Sequence, residues 1–192
     1  MPRFKLFSIA VMFTFVMPKA SCAEEINNPY KIAKEGEWAV YKKMGYFVMG
    51  DKKVAVPGEW TVKVSLISIT DKVASVKVEE SAQVLLEPNK KQIEVNLTKK
   101  YNFGASIEDA TEAQVIKESD EKITVAGKEY NAHLTKTKLT EKTGFPKWEA
   151  VANTWIAKDG PVGGVIKMEI WAKEDGVNSL ETYELTGSSN RK

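Results

Sequence analysis

From Gly36 onward, apolar and polar residues alternate with a period of two rather than 3.6, the spacing of strands with one covered face. The stretch Glu59 to Thr70 shows it well: Trp60, Val62, Val64, Leu66 and Ser68 alternate with Thr61, Lys63, Ser65, Ile67 and Ile69, with both sides apolar towards the end. Thr70-Asp71-Lys72 then predicts a tight turn. Val73 to Glu80 resumes the alternation, with Val76 and Val78 set against Lys77 and Glu79, so the two segments form a hairpin. Further strands are predicted over Glu37 to Met49, with Gly45 as the place for a bulge, and over Ala82 to Leu86, Gln92 to Tyr101, Lys122 to Val125, Glu129 to Leu139, Trp148 to Ile156, Gly164 to Ala172 and Asn178 to Thr186. Ala126-Gly127-Lys128 and Glu174-Asp175-Gly176 read as hairpin turns between them. One segment departs from this pattern. Ser106 to Ser119 is rich in Glu and Ala and opens with Ser106 and Asp109 in helix-start spacing, which predicts a short helix near 107–114.

Short turns between successive strands place sequence neighbours side by side and antiparallel, and no strand–helix–strand alternation calls for a parallel sheet. The expected fold is therefore mainly all-β: a strongly curved antiparallel meander, half-barrel or barrel, with one or two short helices. The strands carrying Trp60, Val62, Val64, Ile93, Val95, Leu97, Trp155 and Met168 are expected to make one continuous apolar face. Such a face needs a second layer, a curl of the sheet or a ligand to cover it.

The amino terminus follows a different rule. Arg3 and Lys5 precede an apolar run from Phe7 to Val16, Pro18 breaks it, and Ser21-Cys22-Ala23 supplies small residues ahead of Glu24. That order is a secretory signal peptide over 1–23, and the run is too short for the roughly 20 residues a membrane span needs. Lipidation at Cys22 is disfavoured, because Lys19 stands where a lipoprotein signal wants an aliphatic residue. The expected organisation is a signal peptide at 1–23, a polar leader or cap at 24–35, one β domain at 36–187 and a polar tail at 188–192, with no transmembrane segment after cleavage.

Composition changes the picture only after that removal. The 192 residues hold 28 Lys+Arg and 26 Asp+Glu, a formal charge of +2. Three of the basic residues (Arg3, Lys5, Lys19) and none of the acidic ones fall in 1–23, so 25 basic residues face 26 acidic ones afterwards, a formal charge of −1. A balanced chain of this kind gives no reason to expect nucleic acid. The one Cys lies in the signal and the one His stands alone, so an internal disulfide, a thiolate site and a multi-histidine metal site are excluded.

Candidate chemistry is sparse. His133 lies on the polar side of its strand, with no nucleophile or orienting group evident in the sequence. Glu79 and Glu80 are adjacent on a strand and point to opposite faces, so they cannot chelate one ion together. Calcium-loop, zinc, phosphate-loop and nucleophile-elbow spacings are missing, and neither cofactor, metal nor catalytic residue is expected. The aromatic residues are the better candidates: Trp60, Trp155, Trp171 and Tyr130 are expected to line the mouth of an apolar cleft. Pro161, Gly163 and Gly164 read as a structural corner, with positive φ expected at one of the glycines.

The V-x-G-K hairpin Val125-Ala126-Gly127-Lys128, followed by Trp155, Pro161, Gly163, Gly164, Val165 and Lys167, resembles a group of uncharacterised exported bacterial β-proteins. The match covers about a quarter of the chain and describes turns rather than chemistry. Ala157 stands where the group has Ser, Gly160 where it has Val, and Ala132 where many members have Cys. The strand pattern is also similar to that of periplasmic lipoprotein carriers, open half-barrels around an apolar ligand. The curved all-β pattern, the five Trp and the lack of catalytic groups point to an exported, non-catalytic protein of the bacterial envelope, periplasmic or extracellular, whose partner is an apolar small molecule or lipid. The alternative is a structural or protein-interaction module that engages an envelope protein. Cleavage after Ala23 is the first consequence open to test: amino-terminal sequencing of the protein from its host should begin at Glu24 or close by, and soluble cytoplasmic protein retaining Met1 would refute it.

Overall fold

The computed structural model describes residues 30, 33–82, 88–97, 111–141, 148–174 and 176–189. The expected signal peptide lies outside them, as do the strand residues expected at 83–86 and at 98–101 and the connection at 142–147. Ten strands form a single antiparallel sheet: β1 (Trp38–Met49), β2 (Lys52–Ala55), β3 (Trp60–Ile69), β4 (Val73–Ala82), β5 (Asn89–Asn96), β6 (Thr111–Val125), β7 (Lys128–Glu141), β8 (Trp148–Ala157), β9 (Val165–Glu174) and β10 (Val177–Ser188). Their order across the sheet is β5-β4-β3-β1-β10-β9-β8-β7-β6, with β2 on β1. Two meanders are thus joined at the centre, where β1 meets β10. The sheet is open and curled, and the curl brings β6 back into contact with β10.

Local sequence explains most of these joints. Ala126 and Gly127 both take positive φ (50° and 76°), the geometry that matches the twist of a two-residue hairpin between β6 and β7. The Thr70 hydroxyl oxygen accepts hydrogen bonds from the Lys72 and Val73 amides and so shapes the β3–β4 turn. β2 and β3 run end to end along the same edge of β1: Ser65 to Trp60 face Trp38 to Lys43, and Ala55 to Lys52 face Tyr46 to Met49. Pro57 and Gly58 interrupt the ladder between them, since proline donates no hydrogen bond and Gly58 takes φ 116°. This short strand was not foreseen. Gly45 is in register opposite Glu181, and the irregularity in β1 falls at Val40/Tyr41 instead.

The expected helix near 107–114 is corrected in part: residues 107–110 lie outside the described set, and 111–114 begin β6, paired with Glu141 to Lys138 of β7. The weak apolar stripe gave a helix little to bury, while the long neighbouring strand β7 offered ladder partners along one edge. β4 also continues to Ala82, where a separate strand was expected to start, and β10 runs through Ser188, one residue into the expected tail.

The core fills one end of the curl. Val62, Val64 and Leu66 of β3, Ala74 and Val76 of β4, Tyr41 of β1, Leu185 of β10, Ile166 and Met168 of β9 and Ile156 of β8 are all buried there, with Leu97 beyond β5. Tyr30 and Ala33, from the stretch expected as leader or cap, are buried in the same cluster. The Tyr41 hydroxyl donates to the Val165 carbonyl at 2.9 Å, tying β1 to the β8–β9 corner.

That corner is built on glycine. Gly163 and Gly164 both have positive φ (75° and 71°), as expected for one of them. Gly160 has a different constraint: a Cβ there would meet the Gly164 carbonyl oxygen at 2.6 Å and the Ala157 carbonyl oxygen at 3.0 Å. Both obstacles are backbone and cannot swing aside. Gly127, by contrast, has open space around it and only its φ to satisfy. Gly127→Ala should therefore cost about 1–2 kcal/mol through left-handed strain, and Gly160→Ala distinctly more. Urea denaturation of the two variants checks the order, and equal costs would show that the corner relaxes freely.

Candidate functional site

Beyond the filled end, the same face carries charge. Ala39, Tyr41, Lys43, Gly45, Phe47 and Met49 share one side of β1 by alternation, and Lys43 is 6% exposed. Its ammonium lies 3.0 Å from Glu80 Oε1 on β4 and 3.5 Å from Glu181 Oε1 on β10. It also sits over two rings, 5.5 Å from the centroid of Trp60 and 5.5 Å from that of Tyr183. The Tyr183 hydroxyl donates to Glu181 Oε2 at 2.7 Å. Burial pushes the Tyr183 phenol well above its usual range, and the Glu181 carboxylate beside it adds to the rise. Burial does the same to Tyr41, helped by Tyr30 and Tyr130. Both phenols stay neutral and act as donors.

Desolvating three charged side chains is expensive, and a hydrophobic replacement of such a cluster is often as stable. Removing one partner alone strands the others and costs about 3–5 kcal/mol. The cluster is therefore poorly explained as a stability device. It belongs to a row that crosses the sheet: Trp60, Lys43, Tyr183, Met168, Thr154 and Thr135 stand opposite one another in successive strands. Thr135 is buried, and its hydroxyl has no hydrogen-bond partner among the described residues.

Past this row the face stays covered on β8 and β9, where Ile170, Ala152 and Ala150 are buried, and opens on β1, β2 and β10. Phe47, Met49, Val54 and Val177 are 51%, 64%, 46% and 54% exposed. Phe47 stands opposite Val54 of β2 and Ser179 of β10, so the four residues form one patch at the outer end of the face that holds Lys43. Clustered exposed apolar residues of this kind mark interaction sites more often than isolated ones do.

The aromatic residues expected to line one cleft are not brought together. Trp60 is half-buried beside Lys43. Trp155 stands opposite Lys167, and Trp171 opposite Leu180 and Val151, both on the reverse side from Met168 and Ile170. Trp155 therefore leaves the continuous apolar face on which it was expected. Trp155 is buried and its indole N–H donates to the Glu121 carboxylate, which satisfies the one polar atom of a ring otherwise suited to packing. Tyr130 is buried at the filled end. Each of the four rings carries a lysine: Lys43 over Trp60, Lys167 over Trp155 at 5.1 Å, Lys53 over Trp171 at 4.8 Å and Lys128 over Tyr130 at 4.4 Å. Three of these pairs are surface or core features away from the patch.

Lys43, Glu80 and Glu181 were missed as functional residues, yet the signal was present. Like-charged neighbours on a strand point to opposite faces, and on a strand covered on one face one member turns inward; Lys42-Lys43 and Glu79-Glu80 are two such doublets, while Lys52-Lys53 and Lys90-Lys91 stay exposed on both sides. Glu79 does point away, pairing with Lys77 at 2.9 Å and Lys90 at 3.9 Å, while Glu80 turns in to Lys43. His133 was likewise read as partnerless. Register places Asp120 opposite it, and the ring nitrogens lie 2.8 Å from Asp120 Oδ1 and 3.2 Å from Glu118 Oε1. This clamp holds two positions of the outermost strand β6, and nothing nucleophilic is attached to it.

The fold has a counterpart among solved structures. No protein-family model matches the chain, and no curated protein matches it in sequence. A "putative exported protein with YmcC-like fold" from Bacteroides fragilis superposes with a TM-score of 0.50 at 9% identity, covering 93% of this chain and 100% of that one. A "putative lipoprotein" from Parabacteroides distasonis gives a TM-score of 0.46 at 9% identity, covering 81% of this chain and 96% of that one. The first likeness defines the fold class: an open antiparallel sheet of YmcC-like form.

The His133 clamp leads to a pH dependence. Partial burial opposes the charged ring, but hydrogen bonds to Asp120 and Glu118 outweigh it and raise the histidine above its ordinary 6.5. A raised native value means that the clamp stabilises the fold fully below about pH 6.5 and loses that contribution as pH climbs through the native value. Chemical denaturation of the protein and His133→Gln should show the widest stability gap near pH 5.5 and closure near pH 9. A gap of constant size would mean that the ring contributes by packing alone.

Proposed function

We propose that this is an exported, non-catalytic protein of the bacterial envelope that binds an apolar or amphiphilic molecule at the open end of its curled sheet. The observation that carries the reading is the patch of Phe47, Met49, Val54 and Val177, which extends an otherwise self-covered face beyond the Lys43 cluster. Export is supported by the signal-like order of residues 1–23 and by the fold shared with a protein named as exported. The covered parts of the face narrow the ligand's place: Leu66, Val76, Ile166 and Met168 are fully buried and Ile170 and Ala150 are buried farther out, so the binding surface is the outer part of β1, β2 and β10.

A second reading, a module that docks an envelope protein, is favoured by the position of the patch at the rim of the sheet, where a flat partner could reach it. Titration of the exported protein with a long-chain fluorescent probe separates the two. Trp60 lies over Lys43, four residues along β1 from Phe47, so Trp emission should change when a chain extends from the patch to the cluster, with a Kd in roughly the micromolar range. Phe47→Asp should weaken the probe by about tenfold or more, because burying a phenylalanine is worth about 1.5–3 kcal/mol. Flat probe and Trp signals up to saturation would refute the small-ligand reading in favour of protein docking.

A further inference from the structure

We infer that the cage around Lys43 receives the ammonium group of a single-chain cationic amphiphile, whose apolar chain then lies over Phe47 and the neighbouring exposed residues. This rests on the small-ligand reading above and names the chemistry of its polar end. The first support is charge. The cage holds one lysine and two glutamates, a formal charge of −1 in a place where Glu80 is 8% exposed. Among the described residues, Lys43 is the cation shared between the two carboxylates and balances one of them, and a buried negative charge without a full counter-charge is unfavourable. A second cation would complete the balance. An anionic head group would instead meet two carboxylates around an ammonium that is already engaged.

The second support is the wall material. Trp60 and Tyr183 turn their rings to the place where a cation already sits, and aromatic faces beside carboxylates are how proteins hold alkylammonium groups. Access favours the Glu181 side, whose side chain is 21% exposed against 11% for Glu80. The third support is the path outward. On this face of β1 the residue between Lys43 and Phe47 is Gly45, and the Val56 side chain lies against it, 3.4 Å from where a Cβ would stand, so an apolar floor joins cage to patch. At about 3.3 Å per residue, Lys43 to Met49 spans roughly 20 Å, enough for an extended alkyl chain.

The test compares three probes with one chain length: dodecyltrimethylammonium, dodecyl maltoside and dodecyl sulfate, each below its micelle-forming concentration. Calorimetric titration of the protein as processed by its host, at low salt, should rank the cation tightest by about tenfold over the neutral probe, with the sulfate weakest. Added salt should shrink the gap between cation and neutral probe. Glu181→Gln should bring the cation to the level of the neutral probe and leave the neutral probe unchanged, with the melting curve confirming a folded variant. Lys43→Met, which leaves both carboxylates without their lysine, should widen the preference for the cation. Equal binding of cationic and neutral probes would overturn the inference while the apolar site survives. Tightest binding of the sulfate would overturn it in favour of Lys43 as an anion anchor. Failure of all three probes would sink the small-ligand reading and this inference with it.

Discussion

Strands β1 and β10 come from opposite ends of the chain and meet at the middle of the sheet, where the Trp38 amide also donates to the Ser189 hydroxyl. Everything else hangs from that ladder. The β3–β4–β5 meander is anchored on one side of it and the β9–β8–β7–β6 meander on the other. Neither half can complete the covered face alone: Tyr41 needs the Val165 carbonyl, and Lys43 needs Glu80 from one meander and Glu181 from the other side. Closing so long a loop is entropically costly, so the pairing has to be reached late and held by many weak contacts at once.

A single sheet with one apolar face has to cover itself, and this one does so unevenly. At the end with Leu66, Val76 and Ile166, branched and aromatic side chains fill the curl, and the glycine corner and Tyr30 pack across it. At the other end the face runs through a buried charged row and out to exposed Phe47 and Met49. The first end supplies the stability that the second does not. This division lets the outer half carry polar groups that a core would exclude, because their desolvation is offset by packing elsewhere.

The charged row is coherent as chemistry because its neutral members stay neutral. Burial keeps the Tyr183 phenol protonated beside Glu181, so it donates rather than competing for the lysine. The Lys43 ammonium gains both carboxylates and two ring faces without any group having to change charge on folding. By contrast, His133 on β7 reaches Asp120 and Glu118 of the outermost strand β6, where its charge follows the solution.

By itself, the sequence determined much of what depends on a residue and its near neighbours, the start of β6 and the irregularity in the β1–β10 ladder being exceptions. Alternation specified strands, Ala126-Gly127 and Thr70-Asp71-Lys72 specified turns, Gly163-Gly164 specified a corner, and adjacency alone separated Glu79 from Glu80. Tertiary structure decided which residues share a face and which face is covered. A period of two defines two sides of each strand without saying how one strand's sides join to the next, and a shift of one residue exchanges them. Trp155 shows it: the continuous ladder from Trp148 and Glu174 sets Trp155 opposite Lys167 and Thr154 opposite Met168, and an aromatic residue expected in the cleft ends on the reverse side. The same register brought Lys43 to Glu80 and Glu181 across three strands, a meeting that no local pattern encodes because it depends on where the two ends of the chain pair.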